Sequence, residues 1–241
     1  MKDNLQDLIQ YTFGLSNIDL IKVTGTDKQT LISAVAEDKT LIIEGTFHTP
    51  LADFIGVFGM PNLGKLKTIL SFGDIYDSNA KINVERNNED APTNIHFETK
   101  TGNFVSDYRL MAKSIVEEKV KNVTFRGATW DVTFEPSIEG ITYLKKQALV
   151  NNEETTFVTK TEGTNLRVYF GDASTHSGNA VFQSNIKGSL KRSWQWPVKV
   201  FLSIMDLPGN KTVNISDSGV AEITVDSGLS TYRYLLPAQS K

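Results

Sequence analysis

The 241-residue sequence contains no cysteine, which removes disulfides, thiolate nucleophiles and zinc–sulfur centres together. It has three histidines. His48, His96 and His176 fall in or beside different predicted strands and loops, and no two have metal-ligand spacing. Surface or structural roles are expected for them, with no metal and no cofactor. No run approaches the ~18 apolar residues of a membrane span, and the opening Met1-Lys-Asp-Asn-Leu-Gln-Asp has no apolar signal core. The expected location is the cytoplasm, with no membrane partner. A phosphate loop is also missing, since Gly56-Val-Phe-Gly59 has neither the spacing nor the Lys-Ser/Thr that such a loop needs. The acidic pairs Glu153-Glu154 and Asp74/Asp77 sit in turn-like sequence, where solvation accounts for them. No nucleophile, acid and base converge, so an enzyme is not expected.

What remains is the composition of a chain with a core: 39% hydrophobic and 22% charged residues, within the ordinary range for globular domains. The formal net charge is −3. The molecule as a whole repels a polyanion, and a nucleic-acid role would need its basic residues gathered on one surface. A chain of this length makes one large or two modest domains. A repeated pattern decides for two. Gly102-Asn-Phe-Val-Ser-Asp-Tyr-Arg-Leu-Met111 returns near the end as Gly228-Leu-Ser-Thr-Tyr-Arg-Tyr-Leu235. In both, glycine and apolar residues lead through serine to Tyr-Arg and a large apolar pair, after alternating strand-like sequence.

Read in order, residues 3–13 form an amphipathic helix with Leu5, Leu8, Ile9 and Thr12 inward and Asp3, Asp7 and Gln10 outward, stopped by Gly14. The runs 18–24, 30–36 and 40–47 are β-branched and punctuated by turns, and 53–58 is a further short strand. Pro61 opens a helix over 61–72, proline being tolerated in a first turn, with Leu63, Leu66, Ile69 and Leu70 on one face. Opposite them lie Gly64 and Thr68, flanked by Lys65 and Lys67, because residues two apart on a helix diverge by ~200°. Strands over 81–85 and 94–99 precede the first Tyr-Arg pattern. Residues 111–122 fit neither period and read as a connector.

The second half repeats this order. A strand over 129–134 leads to a helix over 137–150 with Ile138, Ile141, Leu144 and Ala148 inward, and with Tyr143, Lys146 and Gln147 outward. Lys145 falls at the edge of the apolar face. Strands follow over 155–159, 165–170 and 180–186, with a polar tip at 171–179. Pro197 opens a helix with Val198, Phe201, Leu202 and Met205 inward and Lys199 and Ser203 outward. Strands over 211–216, 220–225 and 231–236 close the chain. The proline-to-tyrosine spacing differs between the halves, and loops around 73–79 and 87–92 absorb the surplus at little entropic cost.

Val105-Ser-Asp-Tyr-Arg-Leu110, Pro61-Asn-Leu-Gly-Lys-Leu-Lys-Thr-Ile-Leu70 and Tyr234-Leu-Leu-Pro237 resemble the corresponding segments of DNA polymerase sliding clamps. These are the proliferating cell nuclear antigen family, and in length and N-terminal start the chain is most similar to the clamps of T-even-like bacteriophages. The resemblance implies an α+β, duplicated two-domain clamp fold, each domain carrying two helices on a curved antiparallel sheet. Residues 1–111 and 125–241 would be the domains and 112–124 the interdomain connector. Three subunits would close head to tail into a homotrimeric ring around duplex DNA, a processivity factor serving a polymerase and a clamp loader. A heterologous contact closes in this way when its rotation divides a full turn.

On that basis Lys65, Lys67, Lys146 and Lys199, with Lys145, Lys191 and Arg192, are expected to face DNA. Their contacts should be few, directed at phosphates and exchangeable. Outward Asp3 and Asp7 run against this pattern on the first helix. A groove for partner peptides is expected from Val35, Ile115, Val116, Tyr234, Leu235, Leu236 and Pro237. The competing expectation is a non-enzymatic structural or assembly protein of a virion or tail, built from the same duplicated β-rich unit, which would need no lysines on helix faces.

Overall fold

A computed structural model describes residues 1–73, 79–120, 125, 127–171, 174 and 176–239. The Asp74/Asp77 pair, residues 121–124 of the expected connector, and residues 172, 173 and 175 of the polar tip lie outside the described residues. The chain divides into two compact units, Met1–Thr124 with Ser227–Tyr232, and Phe125–Asp226 with Arg233–Lys241.

In the first unit, α1 (Lys2–Thr12) buries Leu5, Leu8, Ile9 and Thr12 at the expected spacing, and Gly14 leaves the helix end with a φ of 81°, a conformation that costs glycine little. Four antiparallel strands follow: β1 (Leu20–Gly25), β2 (Thr30–Val35), β3 (Ile42–Phe47) and β4 (Gly56–Pro61). They stand in the order β3-β2-β1-β4. α2 (Leu63–Leu70) buries the four residues expected of it, Leu63, Leu66, Ile69 and Leu70. β5 (Lys81–Arg86), β6 (Pro92–Glu98) and β7 (Val105–Arg109) form a second, three-stranded sheet in chain order.

The second unit opens with β8 (Val132–Phe134) and α4 (Ile138–Val150). Next come β9 (Thr156–Glu162), β10 (Asn165–Phe170), β11 (Gly178–Gln183), the short β12 (Lys187–Gly188) and β13 (Trp194–Pro197). After α5 (Val198–Met205) come β14 (Asn210–Ser216) and β15 (Val220–Asp226). β16 (Ser230–Pro237) is divided: its first three residues belong to the first unit and the rest to the second. One sheet has the order β11-β10-β9-β13, and in the other β12, β8, β14 and β15 lie side by side.

The orders β3-β2-β1-β4 and β11-β10-β9-β13 are the same arrangement twice. In each, a meander is closed by a strand that pairs antiparallel with its first member and passes into a helix. The duplication seen in the Tyr-Arg pattern is thus a duplication of topology.

Several local expectations are corrected. Pro61 ends a strand instead of starting a helix, and Pro197 ends a strand while also capping α5, since each is still in ladder register, with Leu20 and Thr156 respectively. A residue without an N–H suits a strand end. Residues 52–54 form a single 3-10 turn and the strand begins at Gly56. The stretch after Met111 contains a helix, α3 (Lys113–Lys119), whose Val116 is buried. Here a Cβ on Gly59 of β4 would come within 2.8 Å of the Val116 side chain, so glycine permits the approach. α4 is turned from its expected face. Leu144 is buried but Ile138 is 86% exposed, because the contact surface is set by Gly140, where a Cβ would meet the Phe182 carbonyl oxygen at 1.8 Å. On α5, Ile204 is buried where Leu202 was expected.

The two copies of the tyrosine differ. Tyr108 is buried and its hydroxyl donates to the Pro61 carbonyl, pinning the corner between β4 and α2. Burial, reinforced by the Asp19 carboxylate, pushes this phenol far above its ordinary value of 10.0. A raised folded-state value means that the stability contributed is complete below about pH 10 and is lost as pH rises toward the folded value. Each further pH unit should then cost up to ~1.4 kcal/mol for this proton. In urea unfolding measured from pH 9 upward, Tyr108→Phe should flatten the alkaline fall. An unaltered slope would mean that the phenol ionises freely in the native protein.

Candidate nucleic-acid interface

On the first unit, α1 and α2 pack together and Lys65 and Lys67 of α2 are exposed. Asp7, expected outward, is buried, and its carboxylate accepts a 2.8 Å hydrogen bond from the Tyr232 hydroxyl. The acidic objection to this face therefore shrinks to Asp3, which is exposed.

The other side of α2 is less bare than the helical wheel implies. The Phe13 ring lies over it, 3.4 Å from where a Gly64 Cβ would stand, and the Lys67 ammonium sits 5.3 Å from the ring centroid. Beside this pair is a cleft of ≈ 500 Å³ with Gln6, Gln10, Lys67 and Ser71 around Ile9 and Leu70. Phe13 was not singled out in the sequence. Its signal was an aromatic just past a helix end combined with a glycine in a helix interior, where glycine costs ~1 kcal/mol relative to alanine.

On the second unit, Lys199 of α5 and Lys146 of α4 are exposed, and Lys146 lies 5.4 Å from the Tyr143 ring centroid. Lys145 forms an ion pair with Asp206, tying α4 to the end of α5. Its charge is already partnered. Lys211 nearby donates to the carbonyls of Leu207 and Gly209. Burial lowers its affinity for a proton, an effect that Asp206 opposes and Lys145 reinforces. Lys191 and Arg192 lie in the loop between β12 and β13 and on neither helix, with side chains exposed and backbone N–H groups donating to the Asp217 carboxylate at 2.9 and 3.1 Å.

The residues expected to receive peptides are of two kinds. Val116, Tyr234, Leu235 and Leu236 are buried, so their side chains are core and offer no surface. Three buried residues in succession mean that both faces of the strand are covered there. Val35 is half-buried, and Ile115 and Pro237 are exposed. Val35 lines a cleft of ≈ 380 Å³ in the first unit with Asp19, Glu37, Pro61, Met111 and Val120.

Among the described residues β7 in the first unit and β11 in the second are sheet edges, as are β4, β5, β12 and β13. The Leu110 N–H donates to Thr93 O and the Thr99 N–H to Phe104 O. By antiparallel alternation the backbone groups of Val105, Asp107 and Arg109 therefore point away from β6. Beside this edge Val105 is 54% exposed and Phe72, edge-on to Phe104, is 44% exposed. At the other edge, Gln147 of α4 donates to the Asn179 carbonyl of β11 at 2.9 Å, and the helix ends in Leu149 and Val150, each 76% exposed.

The histidines have local partners: His96 Nδ1 and Asp107 share a 2.7 Å hydrogen bond across β6 and β7, and His48 Nε2 and Thr231 one of 3.0 Å. Among the described residues no group of three or more His, Cys, Asp or Glu could hold a metal ion, and no helix is long and apolar enough to cross a membrane.

No family model matches the sequence, and no curated protein matches it. Among solved structures, the chain is similar to one described as the C-terminal region of FEN-1 bound to A. fulgidus PCNA. The TM-score is 0.72 at 9% sequence identity, covering 100% of this chain and 96% of that one. At that identity the likeness establishes the fold. The chain has the α+β, PCNA-like clamp fold, an architecture expected from the Tyr-Arg repeat and the segments quoted with it.

Proposed function

We propose that the chain is a DNA polymerase sliding clamp, a processivity factor that acts by encircling duplex DNA and holding a polymerase to its template. The observation that carries this reading is the full-length match to the PCNA-like fold, with exposed lysines on the helices of both units. Lys65, Lys67, Lys146 and Lys199 are assigned to phosphates. Lys145 serves chiefly as the α4–α5 bracket, and Lys191 and Arg192 are secondary contacts from their loop. Residues 1–111 and 125–241 act as clamp domains and 112–124 joins them. The polymerase and a clamp loader dock through short apolar peptides, for which Val35, Ile115 and Pro237 keep accessible side chains. The protein works in the cytoplasm, that of the host if it is phage-encoded.

The ring is proposed to be a head-to-tail homotrimer, and the repeat indicates how it would close. The start of β16 lies beside β3 in the first unit, where the His48 N–H donates to Leu229 O at 2.9 Å. In the duplicated order β16 corresponds to β7 and β3 to β11. β7 of one copy against β11 of the next reproduces a pairing already made once within the chain, and it covers two edges that would otherwise invite uncontrolled association.

Imaging of the purified protein should show rings with a hole wide enough for a duplex. Alanine at Lys65, Lys67, Lys146 and Lys199 together should abolish most polymerase stimulation while leaving the rings intact. A strictly monomeric species at micromolar concentration would remove the ring. Full stimulation by the quadruple variant would remove the channel assignment and favour a structural or assembly role.

A further inference from the structure

We infer that Phe13 is a positioning residue that holds Lys67 at the mouth of the α1–α2 cleft for a backbone phosphate of bound duplex, a step that rests on the clamp reading above. Three observations converge on it. The Lys67 ammonium is 5.3 Å from the Phe13 ring centroid. The ring itself is seated on α2 at Gly64, where even a methyl would touch it at 3.4 Å. The cleft beside them is edged by polar residues, Gln6 and Gln10 from α1 and Ser71 from α2, over the buried Ile9 and Leu70.

A surface lysine normally surrenders much of its side-chain freedom when it meets a phosphate. A ring beneath the ammonium confines the side chain beforehand, so less is lost on contact. The ring face neutralises no charge, so the full positive charge remains for the phosphate. Gly64 is part of the seat, because a methyl there would already be in contact with the ring at 3.4 Å and a longer side chain would compete for its place. Lys65 has no ring contact of this kind among the described residues, so the two lysines of α2 should contribute unequally, Lys67 more than Lys65.

The test is binding of a short fluorescent duplex to the full chain, followed by anisotropy from 25 to 150 mM salt. Lys67→Ala should lower both the affinity and the salt slope, the slope by about 0.9 for each Lys67 engaged. Phe13→Leu keeps the charge and an apolar side chain. It should weaken binding about two- to five-fold, the scale of an exposed cation–π contact, with the slope unchanged. Phe13→Trp should restore wild-type affinity. In NMR spectra of the unbound protein, the ring-current shift of the Lys67 side-chain methylenes should vanish in Phe13→Leu and persist in Phe13→Trp. Wild-type affinity in Phe13→Leu, or failure of Phe13→Trp to restore binding, overturns the inference and leaves the clamp reading standing. Absence of any salt-dependent duplex binding by the wild-type protein overturns both.

Discussion

Aspartate at both Leu149 and Val150 should leave the protein monomeric at micromolar concentration in light scattering, with association weakened at least a hundred-fold. Each of these side chains is 76% exposed at the end of α4, next to the free strand β11. Burying one such aliphatic group contributes ~1.5–3 kcal/mol, so losing two corresponds to roughly a hundred- to ten-thousand-fold. Placing carboxylates in a covered contact adds a desolvation penalty. The fold should survive, because exposed positions tolerate polar replacement within about 0.5 kcal/mol. On β7, the other strand of the proposed contact, Val105→Pro probes the backbone directly. The Val105 N–H points away from β6, so proline there removes a donor that β6 does not use and that the proposed neighbouring copy would. Both variants should dissociate the proposed ring, and Ile138→Asp, at the far end of α4, should not. Rings that persist in the double aspartate variant would place the subunit contact elsewhere.

Much of the architecture was legible because strand alternation and helical spacing are local. α1, α2 and the meanders of both halves followed from periodicity, and the doubled Tyr-Arg pattern pointed to a doubled fold. What was missed depended on contacts far apart in sequence. The face of α4 is decided by Gly140 against the Phe182 carbonyl, a backbone approach that hydropathy does not register. It left Ile138 outside despite its apolar side chain. β13 is a short Trp194-Gln-Trp-Pro197 segment whose proline marks the start of α5 in the sequence but does not reveal the ladder with β9 that precedes it. α3 carries one buried residue, Val116, beside the exposed Ile115 on a seven-residue helix, too little for an apolar stripe. At the candidate site, exposure of the lysines was legible from their helical faces. Capture of Lys145 by Asp206 and the seat of Lys67 on Phe13 were not, since each partner lies on another element.

The closing strand offers the second large effect. Tyr232→Ala should destabilise the first unit by ~3–5 kcal/mol, the usual cost of emptying a buried aromatic site, although the residue lies near the end of the chain. Its ring stacks on Tyr11 at 5.0 Å with an interplanar angle of 3°, and its hydroxyl holds the buried Asp7 carboxylate across 225 residues of sequence. Gly45 of β3 makes room for it, since a Cβ there would come within 2.9 Å of the ring. Tyr232→Phe keeps the stack and leaves Asp7 without that donor, for a loss of ~1–3 kcal/mol. Gly45→Ala should cost a comparable ~1–3 kcal/mol by overpacking. Hydrogen exchange locates the damage. In all three variants protection should fall in α1 and β3, while β9 to β11 keep wild-type rates. Loss confined to the second unit would mean that the Tyr232 ring supports the half of the chain in which it is encoded. The expected pattern would instead show that the second Tyr-Arg copy, unlike Tyr108 with its local bond to Pro61, has become part of the first unit's core.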